Sequence, residues 1–398
     1  MRHPAASSAL LALTLSATLS AAGPAAALRA QSAPESDHRI PRSRVLAVVG
    51  GLVGGAIGLA FAKGSSAGVS GSCLGLQCVI VAGTAGGAIF GYFIGREYDI
   101  TYAQRYRGVK PLDIPSTDAE LDGEPVALAA NDSTISVAGS AGVQLFPAGS
   151  ALVEQSRRAG GLRGISAVAL APSTGWIALG SPSGLYLFPP GGGPGALVSS
   201  GNVGAATATD RGVVFGVDDR VEVAPFQTDT TRRWPGIVLG AAGAARDLAI
   251  DSARSLVWVV TGRSLQSYRI ASDSLLVPLG SAPLDGAGRR LALARDTIAV
   301  AMGEKGIRFF DASDAAAPRA FADWNIARFV YDVSIDDGRL FAASGPEGVY
   351  VLSLRSGAPS TLGLARGLGF AAALVSRGGH TYILDRRSNS LRRIDSDF

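Results

Sequence analysis

From about residue 120 to its end, the chain repeats one short pattern of apolar and small residues seven times. Each repeat opens on a stretch such as PVAL, AVAL or RLAL that ends at one reference residue. The reference residues lie 42, 37, 43, 43, 42 and 39 residues apart, close to the roughly 40–45 residues of a four-stranded propeller blade. They are Leu128, Leu170, Thr207, Ile250, Leu293, Ile335 and Leu374.

Other columns of the repeat agree with this alignment. The residue before each reference residue is small, and the one before that is apolar, as an innermost strand buried on both faces requires. A third strand opens on an apolar residue 14–17 positions later, and in four repeats a glycine before it supplies the positive φ of a tight hairpin. The apolar residues are Val143, Leu185, Val221, Leu265, Ile307, Val349 and Leu391, and the glycines are Gly142, Gly184, Gly306 and Gly348.

The repeats predict an all-β fold, a seven-bladed β-propeller of four-stranded blades over residues 110–398. The seventh repeat ends at Phe398, which leaves no room for a fourth strand. Residues 111–115, PLDIP, are predicted to supply that strand from the other end of the chain. Such a closure removes the exposed edge and joins the first blade to the last.

The N-terminus has the features of a secretory signal peptide over residues 1–30. Arg2 and His3 precede an apolar run over residues 9–19, and Ala25-x-Ala27 offers a cleavage site. An uncleaved membrane anchor is the alternative. Residues 31–44 are interpreted as a linker.

Residues 45–96 contain two uncharged apolar segments, VLAVVGGLVGGAIGLAFA and LGLQCVIVAGTAGGAIFGYFIG, each close to the ~20 residues that span a bilayer. Glycine recurs at every fourth position, which places a smooth face on each helix for close packing. The pattern resembles the glycine-zipper helical hairpin of bacterial envelope proteins and implies possible homo-oligomers through the helices. A soluble buried hairpin is the alternative, and residues 97–109 are a second linker. The packing glycines are Gly50, Gly54, Gly58, Gly83, Gly87, Gly91 and Gly95.

The charges around the hairpin conflict with export. Arginines flank it on both sides while the connecting loop has only Lys63, so the positive-inside rule places both flanks in the cytoplasm. A signal peptide requires the opposite, and we favour it. The sequence therefore predicts an envelope protein with a periplasmic propeller, with inner or outer membrane left open. Cys73 and Cys78 could close a small disulfide or remain free thiols.

Residues 306–354 resemble the LVIVD-type bacterial β-propeller repeat. The resemblance rests on an apolar strand followed by Asp311-Ala312-Ser313-Asp314, on Pro318, and on the turn Gly345-Pro346-Glu347-Gly348. It is looser in the other repeats, and least in the third and seventh. It implies an extracellular or envelope propeller, related in architecture to WD40 propellers, without a known catalytic residue set.

Composition and motifs argue against several functions. Positive charge is almost entirely scattered arginine, unlike the stripe of a nucleic-acid-binding protein. No metal-binding, phosphate-binding or nucleophile motif occurs, so we expect no catalytic residues, metal or cofactor. His380 is interpreted as a surface turn histidine. The four tryptophans are expected to pack within blades: Trp176, Trp234, Trp258 and Trp324.

One charged set emerges from the alignment. Three positions before the reference residues of the fourth, fifth and sixth repeats lie Asp247, Arg290 and Asp332. Strand alternation places them with the small residues, near one mouth of the central channel. They could bind a polar ligand or cation. The alternative, which we favour, is an ion-pair bracket in which Arg290 satisfies two buried carboxylates.

These observations favour a membrane-tethered propeller that binds an envelope protein or polysaccharide without catalysis and without nucleic acid. One alternative is a propeller hydrolase or lactonase that uses the channel carboxylates. Another is an oligomerising membrane hairpin with the propeller as its regulatory head, which would still self-associate after removal of residues 116–398.

Overall fold

The computed structural model describes residues 48, 49, 52, 109–149, 151–158, 162–226, 236–239, 243–272 and 275–395. The chain divides into two compact units between Arg105 and Tyr106. Of the predicted hairpin, only Val48, Val49 and Leu52 are described, and they are helical. The rest of the hairpin, its packing glycines and the signal peptide lie outside the described residues. In the part that is described, no helix has the length and apolar character needed to cross a membrane.

The second unit is built of sheets whose strands all pair antiparallel except β1. Across the described residues it contains 29 strands, of which β1 (Pro111–Leu112) and β2 (Ser116–Glu120) come first. Blade one is β3 (Pro125–Ala130), β4 (Thr134–Gly139), β5 (Gly142–Pro147) and β6 (Ser156–Arg158). Blade two is β7 (Ala167–Leu170), β8 (Ile177–Ser181), β9 (Gly184–Phe188) and β10 (Ala196–Ser200). Blade three is β11 (Val203–Ala208), β12 (Gly212–Val217), β13 (Arg220–Pro225) and β14 (Gly236–Val238).

The later blades follow the same order. Blade four is β15 (Asp247–Asp251), β16 (Leu256–Val260), β17 (Ser264–Ser272) and β18 (Leu275–Pro283). Blade five is β19 (Arg290–Ala294), β20 (Thr297–Ala301), β21 (Ile307–Asp311) and β22 (Arg319–Trp324). Blade six is β23 (Asp332–Asp336), β24 (Arg339–Ala343), β25 (Val349–Ser353) and β26 (Ser360–Ala365). Blade seven is β27 (Ala371–Arg377), β28 (His380–Asp385) and β29 (Ser390–Asp395), completed by β2.

The predicted seven-bladed all-β propeller is thus confirmed, with each reference residue on an innermost strand. The innermost strands of successive blades contact one another, and β27 returns to β3, so the ring is closed. The seven apolar residues that open the third strands are all fully buried. The four hairpin glycines all adopt positive φ, between 81° and 147°. Sequence periodicity therefore located both the blade centre and its hairpin.

The prediction of the closing strand was wrong in one detail. β2, not residues 111–115, pairs antiparallel with β29 and supplies the fourth strand of blade seven. β1 instead adds to blade six as a fifth strand, parallel to β26. The apolar residues of the segment, Leu112 and Ile114, pack against the core between blades six and seven. Their apolar character reflects that packing rather than membership of the closing strand.

Apolar clusters between neighbouring blades form the core. Between blades five and six, Trp324 meets Tyr350 edge-to-face with ring centroids 5.1 Å apart. Trp258 is fully buried between blades four and five, and Trp176 stacks on Phe226. These three tryptophans pack within the propeller, as expected, while Trp234 lies outside the described residues.

Candidate binding surfaces in the channel and on the upper rim

The seven innermost strands surround an open channel with a volume of about 1070 Å³. The sequence predicted that both faces of these strands are buried. The structure corrects this, because reference residues such as Leu128 and Ile335 remain partly exposed where the strands border the channel. Asp247, Arg290 and Asp332 all line this channel, at the starts of their strands.

The two carboxylates of the predicted set join blades. The Asp247 carboxylate accepts the backbone N–H of Leu291 in blade five at 2.8 Å. The Asp332 carboxylate accepts the backbone N–H of Leu374 in blade seven at 3.0 Å, and also that of Val333 at 2.9 Å. Each aspartate therefore links its own blade to the next one in the ring.

Arg290 is attracted by the charges of both carboxylates, but it does not form a direct ion pair with either of them. Its Nη1 donates to the carbonyl oxygen of Arg246 at 2.9 Å. No guanidinium nitrogen lies within 4.0 Å of either carboxylate among these three described side chains. Burial alone would lower the pKa of Arg290, but the two negative charges outweigh it and hold that pKa above its ordinary value.

Both carboxylates titrate unusually. Burial raises the pKa of Asp332 to about 7, with Asp247 adding to the rise and Arg290 opposing it. Burial likewise raises the pKa of Asp247, against the opposing charge of Arg290. Near neutral pH this mouth of the channel can therefore hold a proton on a carboxyl group, which is an unusual property for an aspartate.

The innermost strands begin at what we call the upper rim, formed by the loops that precede these strands and those that join second and third strands. Side chains at the connections between second and third strands accept hydrogen bonds from backbone N–H groups of the loops that precede the innermost strands. Asp385 accepts the N–H groups of Gly369 at 2.7 Å and Phe370 at 2.8 Å, and Glu347 accepts that of Arg328 at 3.2 Å. Equivalent bonds join Ser140 to Glu124 and Asp218 to Asn202. These bonds fix the loops of the upper rim.

An aromatic row lies on this rim beside Arg290 and Asp332. The rings of Phe329 and Tyr331 are 4.5 Å apart, those of Tyr331 and Phe370 are 5.0 Å apart, and all three are half-buried. The Arg289 guanidinium sits 5.0 Å above the Phe329 ring. Sequence reasoning missed this row because its members lie in loops without a repeat. Their position one to three residues before an innermost strand was the available clue.

His380 lies at the opposite end of blade seven, at the turn between β27 and β28. Its Nδ1 is 2.8 Å from the Asp395 carboxylate, and no hydroxyl of a described serine hydrogen-bonds the ring. Within the described residues, no group of three or more His, Cys, Asp or Glu side chains is arranged to hold a metal ion.

Comparison with known proteins supports the fold and goes no further. No protein-family model matches the chain, and no curated protein matches it. The WD40 β-propeller domain of Doa1 is similar, with 12% identity and a TM-score of 0.56 over 71% of this chain and 96% of that one. U3-55K is similar too, with 12% identity and a TM-score of 0.57 over 72% of this chain and 100% of that one. At such identity the likeness establishes a WD40-like propeller architecture, and function has to be argued from the surfaces.

Proposed function

We propose that this chain is a membrane-tethered propeller of the cell envelope that binds a protein or polysaccharide partner and catalyses no reaction. The proposal rests on one observation: the charged side chains at the channel mouth are hydrogen-bonded to the protein backbone. Asp247 and Asp332 accept amides of neighbouring blades, and Arg290 binds a backbone carbonyl. The channel chemistry thus serves assembly of the ring, and recognition is assigned to the rims.

The rims suit that role. Loops held by side-chain caps such as Asp385 present their surface with little ordering left to do on binding. A WD40-like architecture is consistent with a binding or scaffolding module. The envelope location and the tether are supported by the signal-like N-terminus, the two apolar segments and the LVIVD-like repeats of the sequence.

Site-specific photocrosslinking in the intact source cells tests the binding role. A photoreactive residue replaces Ala287 on the upper rim, Ser356 on the lower rim (the opposite end of the channel), or exposed Leu275 on the outermost strand of blade four as control. We expect a reproducible adduct from one rim and none from the control. Adducts from neither rim, or equal labelling at all three positions, would overturn the binding role.

Protease digestion tests the location. We expect the propeller to be protected in intact cells, cleaved once the outer membrane is opened, and sedimented with membranes. Protection that persists in spheroplasts would place the propeller in the cytoplasm and overturn the export part of the proposal.

A hydrolase or lactonase is the second candidate, and one observation favours it. The pKa of Asp332 near 7 would allow this carboxyl group to act as a general acid or base in the channel. A panel of lactones and esters tests this, since any hydrolysis by the channel must be lost in Asp332→Asn and Asp247→Asn. Activity that survives both substitutions, or no activity at all, removes this candidate.

A further inference from the structure

We infer that the upper rim of blades five to seven is a docking surface for an anionic lipid bilayer, which orients the propeller on the membrane that tethers it. This inference rests on the proposed tether. The docking surface, here called the basic sector, is formed by the upper-rim loops of blades five to seven. It contains five exposed bases: Arg289, Lys305, Arg366, Arg386 and Arg387.

Charge on the upper rim is strongly divided between its two halves. The exposed acids in the loops of the basic sector are Asp285, which pairs with Arg308 at 2.9 Å, and Glu304. Two further exposed acids, Glu120 and Asp323, lie at the strand ends beside these loops, and Asp323 also pairs with Arg308. On the rim loops of blades one to three the balance reverses, with exposed acids and a single exposed base among the described residues. These are Asp122, Glu124, Asp218 and Asp219 against Arg163. One half of the rim is thus complementary to negative charge and the other half is not.

The five bases are available to an external partner. None of the five has a side-chain nitrogen within 4.0 Å of a carboxylate of the described residues. Arg289 makes a cation–π contact with the Phe329 ring. By contrast, the exposed Arg355 and Arg377 of the lower rim each form an ion pair, with Asp337 at 2.7 Å and Asp132 at 2.6 Å.

Half-exposed aromatic rings accompany the bases. The row of Phe329, Tyr331 and Phe370 lies within the basic sector, beside the channel mouth. Aromatic rings and arginines together are typical of surfaces that lie at the headgroup level of a bilayer. Each Lys or Arg near an anionic surface strengthens attachment about fivefold, so five bases can orient a tethered domain.

The predicted tether favours a membrane over a soluble polyanion as the partner, because it keeps the propeller close to a bilayer. The described chain of the propeller begins on the outer edge of blade six, where the carbonyl of Lys110 accepts the N–H of Leu364. From there β1 runs parallel to β26 toward the upper rim, and Leu112 pairs with Ala365 at the end of β26. Ala365 leads directly into the loop that contains Arg366. Exposed Lys110, on the outer edge of blade six, adds a further positive charge.

The test places the full-length chain, with Cys73→Ser and Cys78→Ser, in lipid nanodiscs that contain a headgroup quencher. A fluorophore is attached in turn to Ala287→Cys on the upper rim and Ala317→Cys on the lower rim, both exposed alanines in loops next to blade five strands. With phosphatidylglycerol present we expect at least tenfold stronger quenching at position 287 than at position 317. Raising the salt concentration or using phosphatidylcholine alone should abolish the difference.

A charge-reversal variant separates the basic sector from the fold. R366E/R386E/R387E should remove the quenching at position 287, whereas the matched lower-rim variant R211E/R295E/R319E, with the same change in net charge, should retain it. Equal quenching at both labels, or quenching independent of anionic lipid, would overturn the inference.

The remaining outcomes are also decisive. If the chain does not stay in the discs after an alkaline wash, the tether fails, and sedimentation with preformed phosphatidylglycerol vesicles then tests the basic sector by itself. If polygalacturonate binds through these arginines while position 287 stays unquenched, the sector recognises an acidic polysaccharide and the membrane assignment is wrong.

Discussion

The carboxylate of Asp385 accepts the backbone N–H of Phe370 at 2.8 Å, which ties the end of β28 to the loop that leads into blade seven. Asp385 is fully buried and also receives the N–H groups of Gly369 and Arg387. Burial opposes its ionisation, but the surrounding amides outweigh burial and lower the pKa of Asp385 below its usual value. A charged buried group thus holds the rim beside the aromatic row.

Replacing Asp385 should destabilise the propeller strongly. Asp385→Ala leaves several buried N–H groups without an acceptor, and we expect the free energy of unfolding to fall by on the order of 3–5 kcal/mol. Asp395→Ala removes a half-exposed partner of His380 and should cost under about 1 kcal/mol. Urea denaturation monitored by tryptophan fluorescence measures both. Equal losses in the two variants would contradict the capping role of Asp385.

The titration of Asp332 predicts an inverse pH dependence of stability. Its folded pKa of about 7 lies above its ordinary value of 3.8, so between these values the folded state binds more protons than the unfolded state. Stability from this group is therefore full below about pH 4 and is lost as the pH rises to about 7. From pH 5 to pH 8 the loss is on the order of 2–3 kcal/mol.

Asp332→Asn isolates this contribution because asparagine does not titrate. The substitution has a pH-independent cost, since an amide has one acceptor oxygen for the two N–H groups of Leu374 and Val333. We expect the midpoint of thermal unfolding to decline less from pH 5 to pH 8 in the variant than in the wild type. Parallel declines would show that Asp332 is ionised throughout this range.

The ring closure can be tested by a cross-link between β2 and β29. Leu121 and Asn389 share a ladder hydrogen bond, so the adjacent pair Glu120 and Ser390 does not and should have Cα atoms about 4.5 Å apart. In a chain without Cys73 and Cys78, E120C/S390C should form a disulfide that raises the unfolding temperature. A119C/S390C places its thiols on opposite faces and should not. A cross-link in the second variant alone would show a different register.

The closing strand also shows where sequence reasoning stops. β2 reads STDAE, with four of its five residues exposed, so no apolar alternation marks it as a strand. The third strands were predictable because Val143 and Leu391, like their counterparts, are fully buried at one fixed place in every blade. The channel position of Asp332 followed from the repeat, but its partner did not, because the N–H of Leu374 belongs to the next blade.

Two glycines with positive φ allow the conformational cost of a side chain to be separated from the cost of a steric clash. At Gly306, φ is 81°, and an added Cβ would collide with the backbone carbonyl of Trp324 on the neighbouring strand. At Gly357, φ is 84°, and an added Cβ would meet open space. Gly357→Ala therefore measures the conformational cost alone, about 1–2 kcal/mol, whereas Gly306→Ala adds a clash that the ladder must absorb and should cost at least about 3 kcal/mol. Thermal unfolding of both variants measures the two losses of stability. Similar losses would show that β22 yields to the added methyl group at little cost, contrary to the close approach of Gly306 to the Trp324 carbonyl.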